Sequence, residues 1–322
     1  MEMNTTRHNA SRRRFLRTAG LLSGSAIVFR NAPQRVLDAF QDTPLEQRRS
    51  QMGAIPIVTT RLTDRVALLT GPGGNVVVLH GPGGIIVVDG FVKPAWPKLK
   101  AALAAIDSVP IKSLVDTHWH FDHADNNGNF RSAGAGVIAH ENTRTRLMES
   151  HDILGMHFDP VPSAELPTQT FASGLTLNLN GEQVDLQHVA PAHTDTDIFV
   201  YFPKADVLHM GDVFFNGRYP FIDASTGGHI NGMIDGVGTA LKRVTAQTKI
   251  VPGHGALGSR ASLETYGRML TVVRDRVGTA KKAGKSLADV QAAKPTAEFD
   301  EAWGKGTMTP NDFVASVYNT VK

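Results

Sequence analysis

Short apolar runs separated by glycine- and proline-rich turns dominate the chain from about residue 55 onwards. The runs VALLTG, NVVVLHG and GIIVVDG are rich in β-branched residues and predict strands, and HGPGG (80–84) predicts a tight hairpin turn. In AWPKLKAALAAID, apolar residues recur at the three- and four-residue spacing of a helix. This part of the sequence therefore predicts a hairpin-rich sheet followed by a helix.

A second block of strands follows in the later half of the chain. LTLNL, QVDLQHV, DIFVYFP and DVLHMGD predict strands, and KIVPGHG predicts one more short strand. Helices are predicted near 141–150, 231–246, 259–281 and 310–321, and a long loop at 151–170. Strands in two blocks, each interleaved with helices, favour an α/β fold in which two sheets pack face to face between outer helices, a four-layer αββα sandwich.

Composition and charge narrow the function classes. The 322 residues are 41% hydrophobic and 20% charged, which is ordinary for a globular protein. The first 50 residues hold nine Arg and four acidic residues, whereas the remainder holds 24 basic and 26 acidic residues. A folded part without basic excess does not favour a nucleic-acid partner. Because the chain has no cysteine, nitrogen and oxygen ligands must hold any metal.

The N-terminus has the pattern of an export signal. SRRRFL, Ser11 to Leu16, is followed by an apolar run that is too short for an ordinary membrane-spanning helix. It resembles the twin-arginine export signal. This resemblance implies a periplasmic or exported protein that contacts the membrane only through an uncleaved signal. We predict a signal at 1–35, a polar linker at 36–52 and one folded domain at 53–322.

Metal-capable side chains are crowded into one short stretch. The segment DTHWHFDHADNNGNF (116–130) contains His118, His120, Asp122 and His123. Residues two apart in an extended segment point to the same side, so the first two histidines can share one ion. After a turn of the chain, Asp122 and His123 can face a neighbouring point. Burial of four such groups without a cation would be costly, so the pattern predicts a metal site.

Three further candidates follow strands later in the chain. His193 follows LQHVA, Asp212 follows DVLHM, and His254 follows KIV and lies between two glycines. Open α/β folds gather their binding sites at strand ends, so we expect these three side chains to join the cluster.

Together these residues resemble the motifs of the metallo-β-lactamase superfamily, over about residues 55–260. The segment 118–123 matches its His-x-His-x-Asp-His motif, and the later three match its further ligands in the same order. The resemblance implies a metallo-hydrolase domain that binds two Zn²⁺ ions, although iron or manganese would accept the same ligands. The implied ligands are His118, His120 and His193 for the first ion, Asp122, His123 and His254 for the second, and Asp212 as the bridge.

The implied reaction is metal-assisted hydrolysis of a carbonyl compound. The two ions lower the pKa of a shared water, and Asp122 orients the resulting hydroxide and shuttles its proton. Asp116, just before the motif, is a candidate acceptor for a ligand imidazole. The loop 214–234 follows the expected bridging aspartate and is a candidate for substrate binding. Its candidate contact residues are Tyr219, His229 and Asn231.

The substrate class stays open between three alternatives. A first site of histidines, with Asp122 and His123 in the second, resembles the third subclass of zinc β-lactamases, and export suits a β-lactam-like or related cyclic substrate. An acidic bridge at Asp212 resembles glyoxalase II and lactonases, and favours a lactonase or thioesterase. The first two alternatives take a small-molecule substrate. The third is a metal-binding accessory protein of a periplasmic oxidoreductase system, with little turnover of its own.

Overall fold

The computed structural model of the protein describes residues 43–321, and the compact unit that they form begins at Pro44. The export signal predicted at 1–35 lies outside the described residues. The segment predicted as a linker, 36–52, runs into a helix, α1 (Pro44–Ala54). Residues 44–52 are therefore part of the folded unit and not of a linker.

The remaining elements alternate along the chain much as the apolar pattern predicts. The strands are β1 (Val58–Arg61), β2 (Val66–Thr70), β3 (Val76–Leu79), β4 (Ile85–Val88), β5 (Ile111–Val115), β6 (Gly136–His140), β7 (His151–Ile153), β8 (Met156–Phe158), β9 (Gln169–Phe171), β10 (Gly174–Leu179), β11 (Glu182–His188), β12 (Ile198–Phe202), β13 (Val207–His209), β14 (Phe215–Asn216), β15 (Lys249–Val251) and β16 (His254–Gly255). The further helices are α2 (Trp96–Ile106), α3 (Phe121–Ala124), α4 (Asn127–Ser132), α5 (Glu141–Leu147), α6 (Ile230–Arg243), α7 (Arg260–Lys282), α8 (Leu287–Ala292), α9 (Asp300–Trp303) and α10 (Pro310–Thr320).

Two sheets form the centre of the fold. The first has the strand order β1-β2-β3-β4-β5-β6-β9, and the second has the order β10-β11-β12-β13-β15. Hairpins make β1 to β4 antiparallel, while the helical crossovers make β4, β5, β6 and β9 parallel. The sequence HGPGG forms the turn between β3 and β4, as predicted.

Both faces of strands β2 to β4 in the first sheet are buried, which explains their continuous apolar sequences. In β2, Val66 and Leu68 pack toward the second sheet, against residues such as Val200. Ala67 and Leu69 point the opposite way and pack in the cluster that contains α2. On the far face of the second sheet, a third cluster includes residues of α6, α7 and α10. The four-layer αββα architecture is therefore confirmed.

Residues 151–170 differ from the predicted long loop. They contain the hairpin β7–β8 and the start of the edge strand β9. Ile153 and Phe158 of the hairpin pack with Trp119 in a small apolar cluster of their own. Three-residue strands are too short to produce a readable alternation, so the hairpin depends on this tertiary contact. Within the described part of the chain, no helix is long and apolar enough to cross a bilayer.

The contact between the sheets should dominate stability. Leu79 is fully buried between them, whereas Leu154, at the tip of the β7–β8 hairpin, is 58% exposed. We expect Leu79→Ala to lower the free energy of unfolding by about 2–5 kcal/mol because it leaves a cavity. The matched change Leu154→Ala should cost less than about 0.5 kcal/mol. Urea denaturation of both variants measures the difference, and equal losses would contradict this packing.

Candidate metal centre

Loops at the ends of strands from both sheets deliver the predicted ligands to one place. The chain leaves β5 at Val115, bends at residues 117–119 and enters the short helix α3 after His120. This turn places His118 and His120 on one side of the centre and Asp122 and His123 on the other. The later ligands come from the loop after β11, a single 3₁₀ turn after β13, and β16: His193, Asp212 and His254.

Three imidazoles converge on a first point. The ligand-capable nitrogens of His118, His120 and His193 all lie within 4.8 Å of one another. His120 Nδ1 and His193 Nε2 are only 2.9 Å apart, and all three rings are buried. Facing nitrogen lone pairs at this spacing suit a shared cation.

A second group forms beside the first. Asp122 Oδ2 lies 3.3 Å from His254 Nε2 and 3.8 Å from His123 Nε2. The ligand atoms of these three residues also lie within 4.8 Å of one another, close enough to hold one ion together. The structure therefore brings the second predicted set together as well, with one carboxylate and two imidazoles.

Asp212 lies between the two groups. Its Oδ2 is 3.6 Å from His193 Nε2 and 3.4 Å from His254 Nε2, while its Oδ1 is 3.2 Å from His123 Nε2. One carboxylate thus reaches imidazoles of both sets, as a bridging ligand requires. Gly253 permits this arrangement, because a Cβ at that position would collide with Asp212 Oδ1.

The donor set fits divalent cations. His118 Nε2, His123 Nε2 and Asp212 Oδ1 are buried and make no hydrogen bond of good geometry with the described residues, although the last two atoms lie 3.2 Å apart. Such orphaned polar atoms are costly in a folded protein, and a cation would satisfy all three. Imidazole and carboxylate ligands suit Zn²⁺, and they also suit iron or manganese.

In the absence of a cation, protons compensate the carboxylates. Burial lowers the pKa of His254, but the charges of Asp212 and Asp122 outweigh it and raise this pKa to about 9. Burial also lowers the pKa of His123, which Asp212, Asp89 and Asp122 together raise well above its usual value. The cluster is therefore a place where a proton and a cation compete.

Acceptors behind the imidazoles orient the rings. His123 Nδ1 lies 2.7 Å from Asp89 Oδ2, and His120 Nε2 lies 3.2 Å from Asp223 Oδ2. His193 Nδ1 donates to the carbonyl oxygen of Phe221 at 2.8 Å. An imidazole that donates from one nitrogen presents the lone pair of the other to a cation, so these contacts preset the ligands.

Asp89 was missed by the sequence reasoning, and Asp116 was chosen in its place. Asp116 Oδ2 accepts from Asn127 Nδ2 at 2.8 Å, and no imidazole among residues 43–321 makes a hydrogen bond to that carboxylate. Asp89 accepts from the backbone N–H and the hydroxyl of Thr117 as well as facing His123. Its φ of 65° is rare for a residue other than glycine, and such strain is typical of functional sites. The sequence offered one signal for Asp89, since it is an acidic residue directly after the buried strand IIVV. Asp116 also directly follows a buried strand, so this signal does not separate the two residues.

The three candidate substrate contacts have other roles in the structure. Tyr219 lines the cavity beside the cluster, but its hydroxyl donates to Asp300 Oδ1 at 2.8 Å. His229 begins α6, where its Nδ1 accepts from the backbone N–H of Gly232. Asn231 Oδ1 lies 3.5 Å from an Arg274 nitrogen. His229 and Asn231 are not among the residues that line the cavity, so neither prediction is supported.

The cluster opens into a cavity of about 630 Å³. His120, Asp122, Asp212 and His254 all contribute to its lining. A substrate in this cavity would therefore contact both groups of ligands at once, and the volume lies in the range typical of small-molecule sites, roughly 300–1,000 Å³.

Comparison with known proteins identifies the family. The family model described as the metallo-beta-lactamase superfamily matches residues 69–262, more than half of the chain. The chain belongs to the metallo-β-lactamase superfamily. Among solved structures, it is similar to a metallo-beta-lactamase from Pontibacter korlensis, with a TM-score of 0.55, 19% identity, and coverage of 67% of this chain and 99% of that one. It is also similar to the DIM-1 metallo-beta-lactamase, with a TM-score of 0.55, 18% identity, and coverage of 67% and 98%.

The chain is also similar to a protein that is a subunit of an O-demethylase. The alpha subunit of 2,4-dinitroanisole O-demethylase from Nocardioides sp. (strain JS1661) is 25% identical over 136 residues. The match covers 41% of this chain and 38% of that protein, so the chain matches well under two thirds of the relative.

Cation binding should depend on pH in a defined direction. Below about pH 9, the cation-free protein holds a proton on His254, and a cation must displace that proton. The pKa of Asp122 is lowered to about 2, so Asp122 stays ionised throughout. We therefore expect the affinity for Zn²⁺ to rise from pH 6 to 9. Competition with a chelator of known affinity measures this, and a flat profile would contradict the proton–cation exchange.

Asp89 and Asp116 offer a matched pair of substitutions. Both are fully buried aspartates at the ends of neighbouring strands. We expect Asp89→Asn to weaken Zn²⁺ binding by about 10–100-fold, because His123 loses its charged acceptor. Burial raises the pKa of Asp116, so Asp116→Asn should change the affinity little. A chelator titration measures both affinities. A larger loss of Zn²⁺ affinity in Asp116→Asn than in Asp89→Asn would restore the original assignment of Asp116.

Proposed function

We propose that the protein is an exported dinuclear zinc hydrolase that cleaves a carbonyl compound of the lactam or lactone class. The observation that carries this proposal is Asp212, whose carboxylate reaches imidazoles of two adjacent ligand groups at the base of one cavity. The first ion would be held by His118, His120 and His193, the second by Asp122, His123 and His254, and Asp212 would bridge them. When bound, the ions would supply Lewis acidity, which lowers the pKa of water and polarises a carbonyl group.

Asp122 is positioned to accept a proton from water and to transfer it in the proposed reaction. Burial raises the pKa of its carboxyl group, but His123 and His254 outweigh this effect and lower it to about 2. Its side chain lines the cavity and is 13% exposed. Asp122 Oδ2 is thus ionised at neutral pH, can accept a hydrogen bond from a water in the cavity, and can pass the proton to a leaving group.

Lactam hydrolysis is the leading candidate, and hydrolysis of a lactone or thioester is the second. The similar solved structures are metallo-beta-lactamases, which supports the first. Asp212 is an acid where the classical zinc β-lactamases usually carry Cys or Ser, which supports the second. The O-demethylase relative adds methyl aryl ethers to the compounds worth testing. A metal-binding accessory role in a periplasmic oxidoreductase system is the third candidate.

The export proposal depends on SRRRFL at Ser11 to Leu16. Replacement of Arg12 and Arg13 by Lys should retain the protein in the cytoplasm of a bacterial host. An unchanged distribution between cytoplasm and periplasm would overturn the export proposal without touching the proposed hydrolase activity.

Asp122→Asn tests the proposed reaction. The Zn²⁺-loaded protein is assayed against nitrocefin, a homoserine lactone, a glutathione thioester and 2,4-dinitroanisole. We expect turnover of at least one carbonyl compound and a loss of about 100-fold or more in kcat for the variant, since general acid–base catalysis contributes about 10²–10⁴-fold.

The control is Asp64→Asn, which alters an exposed aspartate paired with Arg61 on the surface. It should retain full activity. Turnover of the lactone alone would overturn the lactam assignment. Zinc-loaded protein that hydrolyses none of the four compounds would favour the accessory role.

A further inference from the structure

The cavity beside the metal-capable cluster has an apolar outer wall. Ile153, Met156 and Phe158 of the β7–β8 hairpin contribute on one side, and Phe121 and Phe221 contribute near the cluster. Aromatic and aliphatic walls of this kind bind a ligand through its buried apolar area. The wall therefore selects a ligand with an apolar or aromatic body.

Two arginines are the charged exceptions in that wall. The acids that line the cavity are Asp122 and Asp212, and both belong to the cluster; the remaining charged lining residues are Arg48 and Arg218. Across residues 43–321, the structure gives neither of these guanidinium groups an ion pair. The outer wall thus carries two positive charges that no described carboxylate contacts at ion-pair distance.

Helix α1 holds Arg48 in this position. The adjacent Arg49 makes a two-pronged contact with Asp125, with Nη2 2.6 Å from Oδ1 and Nε 3.0 Å from Oδ2. Asp125 directly follows α3, the helix that carries Asp122 and His123, so the contact ties α1 to the ligand segment. At the other end of α1, Gly53 packs against Pro94 so closely that a Cβ would collide. The arginine on the cavity side is therefore presented by an anchored element.

We propose that the cavity binds an amphipathic anion whose apolar body lies against the hairpin and whose oxyanion group lies on Arg48 and Arg218. A guanidinium offers a planar fork of donors that matches a carboxylate or sulfonate. The anionic group is separate from the carbonyl that reacts at the cluster; that part of the inference rests on the proposed function. A polyanion fits poorly, because the wall outside the cluster, as far as residues 43–321 form it, offers two cations between apolar side chains.

Two probes of similar shape, one anionic and one neutral, test this proposal in a binding experiment that requires no turnover. Naphthalene-2-sulfonate and methyl 2-naphthyl sulfone are titrated calorimetrically into the full-length, Zn²⁺-loaded protein. We expect the sulfonate to bind about tenfold or more tightly than the neutral sulfone, since hydrogen bonds to charged groups favour binding to that extent. Arg48→Gln and Arg218→Gln should each reduce this preference, and the double variant should abolish it.

Arg268→Gln is the matched control. Arg268 is an exposed residue of α7 that does not line the cavity, and its substitution removes the same charge. It should leave the preference for the sulfonate intact. Arg218→Lys keeps the positive charge and should retain part of the preference for the sulfonate. A loss in Arg218→Gln that is partly restored in Arg218→Lys is then due to the charge and not to misfolding.

Two outcomes would overturn the inference. The first is equal binding of the two probes by the wild-type protein. The second is a sulfonate preference that survives in the double variant at equal zinc content, because the anion would then bind the metal ions. Failure of the hydrolysis assays would overturn the proposed function alone, since probe binding requires no reaction.

Discussion

The carboxylate of Asp212 lies between two sets of buried imidazoles, and the rest of the centre is arranged around that negative charge. It is within 3.6 Å of ring nitrogens from His193, His254 and His123. Without this carboxylate, protonated imidazoles or cations in the cluster would be buried with too few negative charges to balance them. The loops after β5, β11, β13 and β15 therefore have to meet at one point, and packing of the two sheets makes them meet.

Positioning of the ligands depends on acceptors outside the cluster. Asp89 faces His123, Asp223 faces His120, and the carbonyl oxygen of Phe221 faces His193. Each acceptor fixes which nitrogen of its imidazole points inward. Asp89 directly follows β4 of the first sheet, and Asp223 lies in the segment that connects β13 and β15 of the second, so both sheets determine the orientation of the rings.

Elements outside the family match also line the cavity beside the cluster. The superfamily model covers residues 69–262, whereas α1, which carries Arg48, and Met308 both contribute to the cavity from beyond that span. All seven ligand-capable residues thus lie within the matched span, whereas the cavity wall also draws on residues outside it. This separation is consistent with solved relatives that share the fold but cover only 67% of this chain.

The sequence by itself determined most of the strands of the two sheets, the layered fold and the seven candidate ligands, because apolar periodicity and motif spacing are local properties of the chain, but it missed the β7–β8 hairpin. It did not reveal that α1 belongs to the domain: this polar helix is held by the contact of Arg49 with Asp125, 76 residues away. Nor did it distinguish Asp89 from Asp116, since both follow buried strands. Only the tertiary structure decides which carboxylate faces an imidazole, because that depends on how neighbouring strands pair and on the left-handed backbone at Asp89.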